Sequence, residues 1–174
     1  MEIEFDVKQV FQDRLASSMG LDKYQYIMNN VRRVNISTNA DFQRTFNGLY
    51  IVRRNEDWRD IYYKLFEEII TYLYKYTGNI EPSFSSKMLA TIIPSKPIWD
   101  QYVVQKLNMK LGGKSKEEKL ENAIVLYDNI EKWYEDYLLT SKARECIETF
   151  DQLLPDYKHI SNIKKIDSIL WSIR

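Results

Sequence analysis

Glycine and proline are scarce in this chain, and that scarcity constrains the fold more than any other feature of the sequence. Only 5 glycines and 4 prolines occur among 174 residues, whereas a fold of many short strands needs such residues at its tight turns. Hydrophobic residues make up 44% of the chain, which is enough for a core and excludes disorder as the main state. The sequence therefore predicts an all-α fold: a compact bundle of about eight helices forming a single domain over residues 1–174.

Apolar residues recur at three- and four-residue steps, which is the pattern of amphipathic helices. This periodicity predicts helices over residues 6–17, 21–34, 84–92, 98–107, 115–139, 141–154 and 161–171. A further helix begins after Asn55 and ends before Gly78. Ser115 and Glu118 have the spacing of a capping box at the start of the longest helix. The pattern also allows a helix to restart at Asp41. The segment Leu49–Val52 is rich in β-branched and aromatic residues, so a short strand stays an open alternative there.

The charges and the reactive side chains exclude several classes of protein. Lysine and arginine (25) balance aspartate and glutamate (25), so the bulk charge gives no support to non-specific nucleic-acid binding. With Cys146 as the one cysteine and His159 as the one histidine, neither a disulfide nor a zinc site can be assembled. No apolar run approaches the roughly 20 residues of a membrane span. We expect a cytoplasmic protein with no metal, no cofactor and no membrane partner.

Residues Ser83–Val104 combine features that occur together nowhere else in the chain. A serine run and Lys87 open a short apolar helix, a proline-bounded turn follows, and Asp100 stands at the start of the next helix. This stretch resembles the centre of the helix-hairpin-helix DNA glycosylase superfamily, and it is similar to small bacterial proteins with a Ser-Lys…Pro…Asp pattern. The resemblance implies that Lys87 attacks the sugar carbon of an extruded nucleotide and that Asp100 assists as acid or base. It also implies that Trp99 stacks on the extruded base.

Each of these residues also has a structural interpretation. Aspartate is among the best N-cap residues, so Asp100 can be the cap of the helix that follows it. Lys87 can be a solvated helix residue. The enzyme class therefore stays open: the core is either a working glycosylase and abasic-site lyase or a catalytically degenerate relative.

A local excess of lysine follows the Ser83–Val104 stretch. Only Glu117 and Glu118 offset the lysines between this stretch and the longest helix, which are Lys106, Lys110, Lys114, Lys116 and Lys119. Such a segment predicts contact with DNA phosphates, and the alternative is an ordinary solvated surface. The sequence therefore predicts a DNA-interacting helical protein.

The aromatic residues support a competing prediction. The helix after Asn55 carries rings on more than one side: Trp58, Tyr62, Tyr63, Phe66, Tyr72, Tyr74 and Tyr76. Burial on two faces in the centre of a bundle is the favoured interpretation, and stacking on bases or on a partner protein is the alternative. Since amphipathic rings anchor protein interfaces, the rival function is a non-enzymatic protein-binding factor, such as a phage or mobile-element inhibitor of host machinery.

Overall fold

A computed structural model of the protein describes residues 5–13, 20–31, 33–34, 38–50 and 66–173. Over these ranges every regular element is helical, and no strand occurs, which confirms the predicted all-α fold. The helices of the described ranges are, in chain order, α1 (Val7–Asp13), α2 (Leu21–Asn30), α3 (Ala40–Tyr50), α4 (Phe66–Thr77), α5 (Pro82–Ile92), α6 (Gln101–Lys106), α7 (Lys116–Leu138), α8 (Ser141–Leu153) and α9 (Asn162–Ser172). A 3₁₀ turn, Pro155–Tyr157, separates the last two.

Side-chain caps explain where the C-terminal helices begin. The hydroxyl oxygen of Ser115 accepts a hydrogen bond from the Glu118 backbone N–H, as the capping box predicts. The carboxylate of Glu118 reaches back one residue further than expected, because it accepts from the Lys114 N–H at 2.7 Å. Thr140 caps α8 and Ser161 caps α9 in the same way. These ends are therefore set by local hydrogen bonds that the sequence alone reveals.

The least regular parts of the sequence were predicted less well. The strand alternative is wrong for Leu49 and Tyr50, which form the last turn of α3. Ile51 and Val52 lie outside the described residues, as does the chain from Asn55 to the start of α4. The predicted helices that begin at residues 6 and 21 correspond to α1 and α2, and α2 ends at Asn30 rather than at residue 34.

Helix α5 lies at the centre of the packing, because eight consecutive residues, Phe84–Thr91, are buried. Helix α4 packs on α5 and on α7, while α9 packs on α1, α6, α7 and α8. Buried apolar residues from all the described helices form one contiguous cluster. The single-domain boundary of 1–174 stays a prediction, since part of the chain lies outside the description.

Candidate functional site

The stretch around Lys87 is held together by its own small polar side chains. The hydroxyls of Ser85 and Thr91 donate to backbone carbonyls four residues earlier, those of Glu81 at the N-cap of α5 and of Lys87 within it, so these groups are satisfied although they are buried. Ser86 links α5 to the start of the next helix, because its Oγ accepts from the Trp99 backbone N–H at 2.8 Å. The two halves of the predicted site are therefore adjacent.

Lys87 is buried, with 8% of its surface exposed, so its interpretation as a solvated helix residue is wrong. Its Nζ donates a 2.8 Å hydrogen bond to the carbonyl oxygen of Tyr50 and lies 5.7 Å from the centroid of the Tyr50 ring. Burial lowers the pKa of the Lys87 amine, while the negative charges of Asp100 and then Asp167 oppose that shift. The amine thus caps the C-terminal end of α3 from the middle of α5.

Asp100 is the N-cap of α6, which confirms the structural interpretation of this residue. Its Oδ1 accepts a 2.8 Å hydrogen bond from the Tyr102 backbone N–H. Asp100 acts on Lys87 through its charge, but the ion pairs of the described residues do not include a Lys87–Asp100 contact. The fold therefore places Lys87 and Asp100 close enough for their charges to interact, but they form no ion pair among the described residues.

A second carboxylate, Asp167, belongs to the same neighbourhood, and sequence reasoning missed it. It is 5% exposed, and its Oδ2 lies 3.0 Å from Nζ of Lys164. The hydroxyl of Tyr134 donates to Oδ1 at 3.4 Å. Burial raises the pKa of Asp167, and the Lys164 ammonium opposes this. Its spacing from Ile163 and Leu170 on the apolar stripe of α9 was the signal that could have revealed it.

A small cavity opens beside Asp167, and neither Lys87 nor Asp100 lines it. Its lining comes from Tyr24, Ala90, Pro94, Lys96, Ile98, Ile163, Lys164 and Asp167. The cavity measures about 10 Å³, which is the room that one water molecule needs. It cannot receive a nucleotide base in this conformation.

Trp99 packs inside the core. Its ring is 6% exposed and stacks in parallel on Phe66, with centroids 6.4 Å apart. Phe66 stacks in turn on Tyr127 at 4.0 Å, and the Tyr127 hydroxyl donates to the carbonyl of Pro97. The stack joins Phe66 of α4 to Tyr127 of α7, and the Trp99 ring lies inside the protein at its other end.

The lysines from the end of α6 to the first turn of α7 form a second candidate site, the basic segment, which runs over residues 106–119. All five lysines are exposed: Lys106, Lys110, Lys114, Lys116 and Lys119. The described ion pairs involve none of them. Lys116 donates to the carbonyl of Gly78 at 2.7 Å, so its ammonium is held against the end of α4. The two acidic residues of the segment are already engaged: Glu117 accepts from the Tyr74 hydroxyl, and Glu118 accepts from the Lys114 N–H.

Two structural absences hold for the described part of the chain. Within it, no three His, Cys, Asp or Glu side chains are grouped so that they could hold a metal ion. None of its helices is both long enough and apolar enough to cross a lipid bilayer.

Comparison with known proteins adds no relative. No family model, no curated protein and no solved structure matches this chain. The likeness of residues Ser83–Val104 to helix-hairpin-helix glycosylases therefore stays a prediction from sequence.

Proposed function

We propose that the protein binds DNA through the phosphate backbone by means of the basic segment, and that Lys87 and Asp100 support the fold instead of catalysing a reaction. The observation that carries this proposal is that most lysines of the segment are exposed and take part in none of the described ion pairs. Lys106, Lys110, Lys114 and Lys119 are exposed and have no ion-pair partner among the described residues. The segment has two carboxylates, Glu117 and Glu118, against five lysines, so its negative charges offset its positive charges only in part. Such unpaired cations are the groups that displace counterions from DNA.

The state of Lys87 favours a degenerate core over a working glycosylase. A lysine that forms a Schiff base must be neutral, and the lowered pKa of Lys87 suits that need. The same nucleophile must also reach a sugar carbon, and here Nζ is directed at the Tyr50 carbonyl inside the protein. Burial of the Trp99 ring likewise removes the expected stacking surface. The geometry thus suits a lysine that holds α3 and α5 together.

Salt dependence of binding tests the proposal. Fluorescence anisotropy with a labelled duplex would measure the dissociation constant from low to physiological salt. Four phosphate contacts predict a slope of about −3.6 for the logarithm of the association constant against the logarithm of salt concentration. Replacing Lys106, Lys110 and Lys114 with glutamine should weaken binding and make the slope shallower by about 0.9 for each lost contact.

The matched control removes the same amount of charge elsewhere. Lys8, Lys132 and Lys158 are exposed lysines outside the segment, and their triple replacement by glutamine should leave the slope unchanged. Equal effects of the two triple variants would contradict a defined binding segment. Failure of the protein to bind any nucleic acid at low salt would favour the protein-binding alternative, for which exposed Leu139 and Val125 supply apolar surface.

A further inference from the structure

Helices α2 and α3 form a pair that packs mainly on itself. In the described part of the chain, the one extensive helix–helix contact of either is with the other, whereas α9 packs on α1, α6, α7 and α8. The residues that the pair buries are Leu21, Tyr24 and Ile27 from α2 and Phe42, Phe46 and Tyr50 from α3. The pair is therefore joined to the helices α4–α9, here called the body, chiefly through side chains.

The ammonium of Lys164 touches both helices of the pair. Its Nζ lies 5.1 Å from the centroid of the Tyr24 ring in α2 and 5.7 Å from that of the Tyr50 ring in α3. Both distances are short enough for cation–π attraction. The carboxylate of Asp167 holds the same Nζ at 3.0 Å from within α9. One side chain of the body therefore fastens both helices.

A second lysine of the body fastens the end of α3. Lys87 of α5 donates to the Tyr50 carbonyl at 2.8 Å, and its Nζ lies 5.7 Å from the centroid of the Tyr50 ring. The Tyr50 ring thus lies near two ammonium groups. An edge-to-face contact between Phe46 and Phe84, with centroids 5.9 Å apart, adds an apolar contact at the same boundary.

This boundary is less well packed than the interior of the body. The cavity of about 10 Å³ lies on it, because its lining joins Tyr24 of α2 to Ala90 of α5 and Ile163 of α9. The Tyr50 hydroxyl is buried and forms no hydrogen bond in the described structure. Inside the body, by contrast, the Phe66 and Tyr127 rings stack at 4.0 Å. Buried charges, a cavity and an unpaired hydroxyl each weaken an interface, and segments held by weak interfaces open before the rest of a protein.

We infer that the α2–α3 pair is a lid, which opens as one unit over Lys87 while the body stays folded. The inference goes beyond the proposed function, because contact between DNA and the basic segment needs no opening. In the closed form the Lys87 amine is bonded to the Tyr50 carbonyl. In the open form this amine is exposed to solvent, and the cavity beside Asp167 loses the wall that Tyr24 supplies. The open form is therefore the one in which the Lys87 amine can meet a dissolved molecule.

Native-state hydrogen exchange of the full chain, followed by mass spectrometry of its peptides, measures how readily each helix opens. In wild-type protein α2 and α3 should exchange with one common opening constant, larger than that of α7 and α8. Tyr24→Leu removes a ring from Lys164 and should raise the exchange of α2 and α3 by the same factor, about 5- to 30-fold. An increase confined to α2 would show that the two helices open separately, against the inference.

Phe150→Leu is the matched control, since it removes a buried ring from α8 in the body. It should speed the exchange of α8, which opens only when the body unfolds, and leave α2 and α3 unchanged. Equal acceleration of all three helices would show that the protein opens only as a whole, and the lid would be refuted.

Chemical labelling gives a second readout that also survives if Tyr24→Leu fails to fold. Acetylation reports exposure of the Lys87 amine, and alkylation reports exposure of the Cys146 thiol, which is buried in α8. Each rate is divided by the rate in the unfolded chain. Lys87 should then react more readily than Cys146, and Phe150→Leu should speed the reaction of Cys146 alone. One shared degree of protection in both proteins would mean that only global unfolding exposes Lys87, which overturns the lid. Neither measurement involves nucleic acid, so the result is independent of the proposed function.

Discussion

Replacing Lys87 with methionine tests whether this lysine holds the fold together. The variant keeps an unbranched apolar side chain of similar length and removes the ammonium group that donates to the Tyr50 carbonyl. A buried acceptor that loses its partner costs about 1–3 kcal/mol. Removal of the buried ammonium offsets part of this loss of stability. The lowered pKa shows that burial destabilises the charged amine more than Asp100 and Asp167 stabilise it. We expect a net loss of about 1–2 kcal/mol in the free energy of unfolding at neutral pH.

The pH dependence of that loss has a defined sign. In the folded protein the pKa of Lys87 is lowered from 10.5, so the folded state releases this proton before the unfolded chain does. Wild-type stability therefore rises as the pH rises through the lowered pKa towards 10.5, and Lys87→Met lacks this rise. The stability difference between the two proteins should grow as the pH increases from 7 to 10. Buried tyrosines with raised pKa values, such as Tyr24 at about 12, are common to both proteins and cancel in the difference.

Urea unfolding followed by far-ultraviolet circular dichroism measures these differences. Lys132→Met is the matched control, since Lys132 is exposed, and it should change stability by less than about 0.5 kcal/mol. Lys87→Ala should lose about a further 2 kcal/mol or more, because it also deletes buried methylene groups. A Lys87→Met variant as stable as wild type, or more stable, would refute the structural role. That result would instead favour a catalytic role for Lys87, in which the buried amine lowers the stability of the protein.

Three further predictions concern the same neighbourhood. Asp100→Ala should lose about 1 kcal/mol of stability while Asp100→Asn loses much less, because asparagine caps helices nearly as well as aspartate; equal losses in urea unfolding would contradict the N-cap role. Borohydride should trap no covalent complex with an abasic-site duplex, since the Lys87 amine is bonded to Tyr50 inside the protein; an adduct that disappears in Lys87→Met would restore the glycosylase interpretation. Burial raises the pKa of Asp167 above 3.8, so wild-type protein should lose stability relative to Asp167→Asn as the pH rises from 3.8 through the raised value, and a constant difference across acid pH would contradict this.

Local features of the candidate site were predictable, while long-range contacts were not. Asp100 follows a proline-bounded turn and precedes an apolar helix, and those neighbours alone were enough to predict an N-cap. The environment of Lys87 depends on Tyr50, which lies 37 residues earlier, so no pattern around Lys87 could reveal its acceptor. The same holds for Trp99, whose indole has an apolar body that suits a core as well as a base.

The tyrosines of α4 illustrate the same division within one helix. Their periodicity predicts a helix and shows that it carries more rings than a single face can bury. Which rings lie inside depends on where α7 crosses, and the contact between Tyr74 and Glu117 establishes that position. Among the described rings of α4, the folded structure leaves Tyr76 the most exposed, at 63%.

The sequence by itself determined the helical class, most helix ends and the excess of lysine from the end of α6 to the start of α7, because each depends on residues within a few positions of one another. Period, caps and the scarcity of glycine and proline act over one or two turns of chain. Only the tertiary structure decided that Lys87 is buried, that the charge of Asp167 acts on it, and that Tyr74 and Gly78 at the end of α4 meet Glu117 and Lys116 at the start of α7. Those facts depend on the packing of helices that are distant in sequence, and burial is what alters the pKa of a lysine or an aspartate.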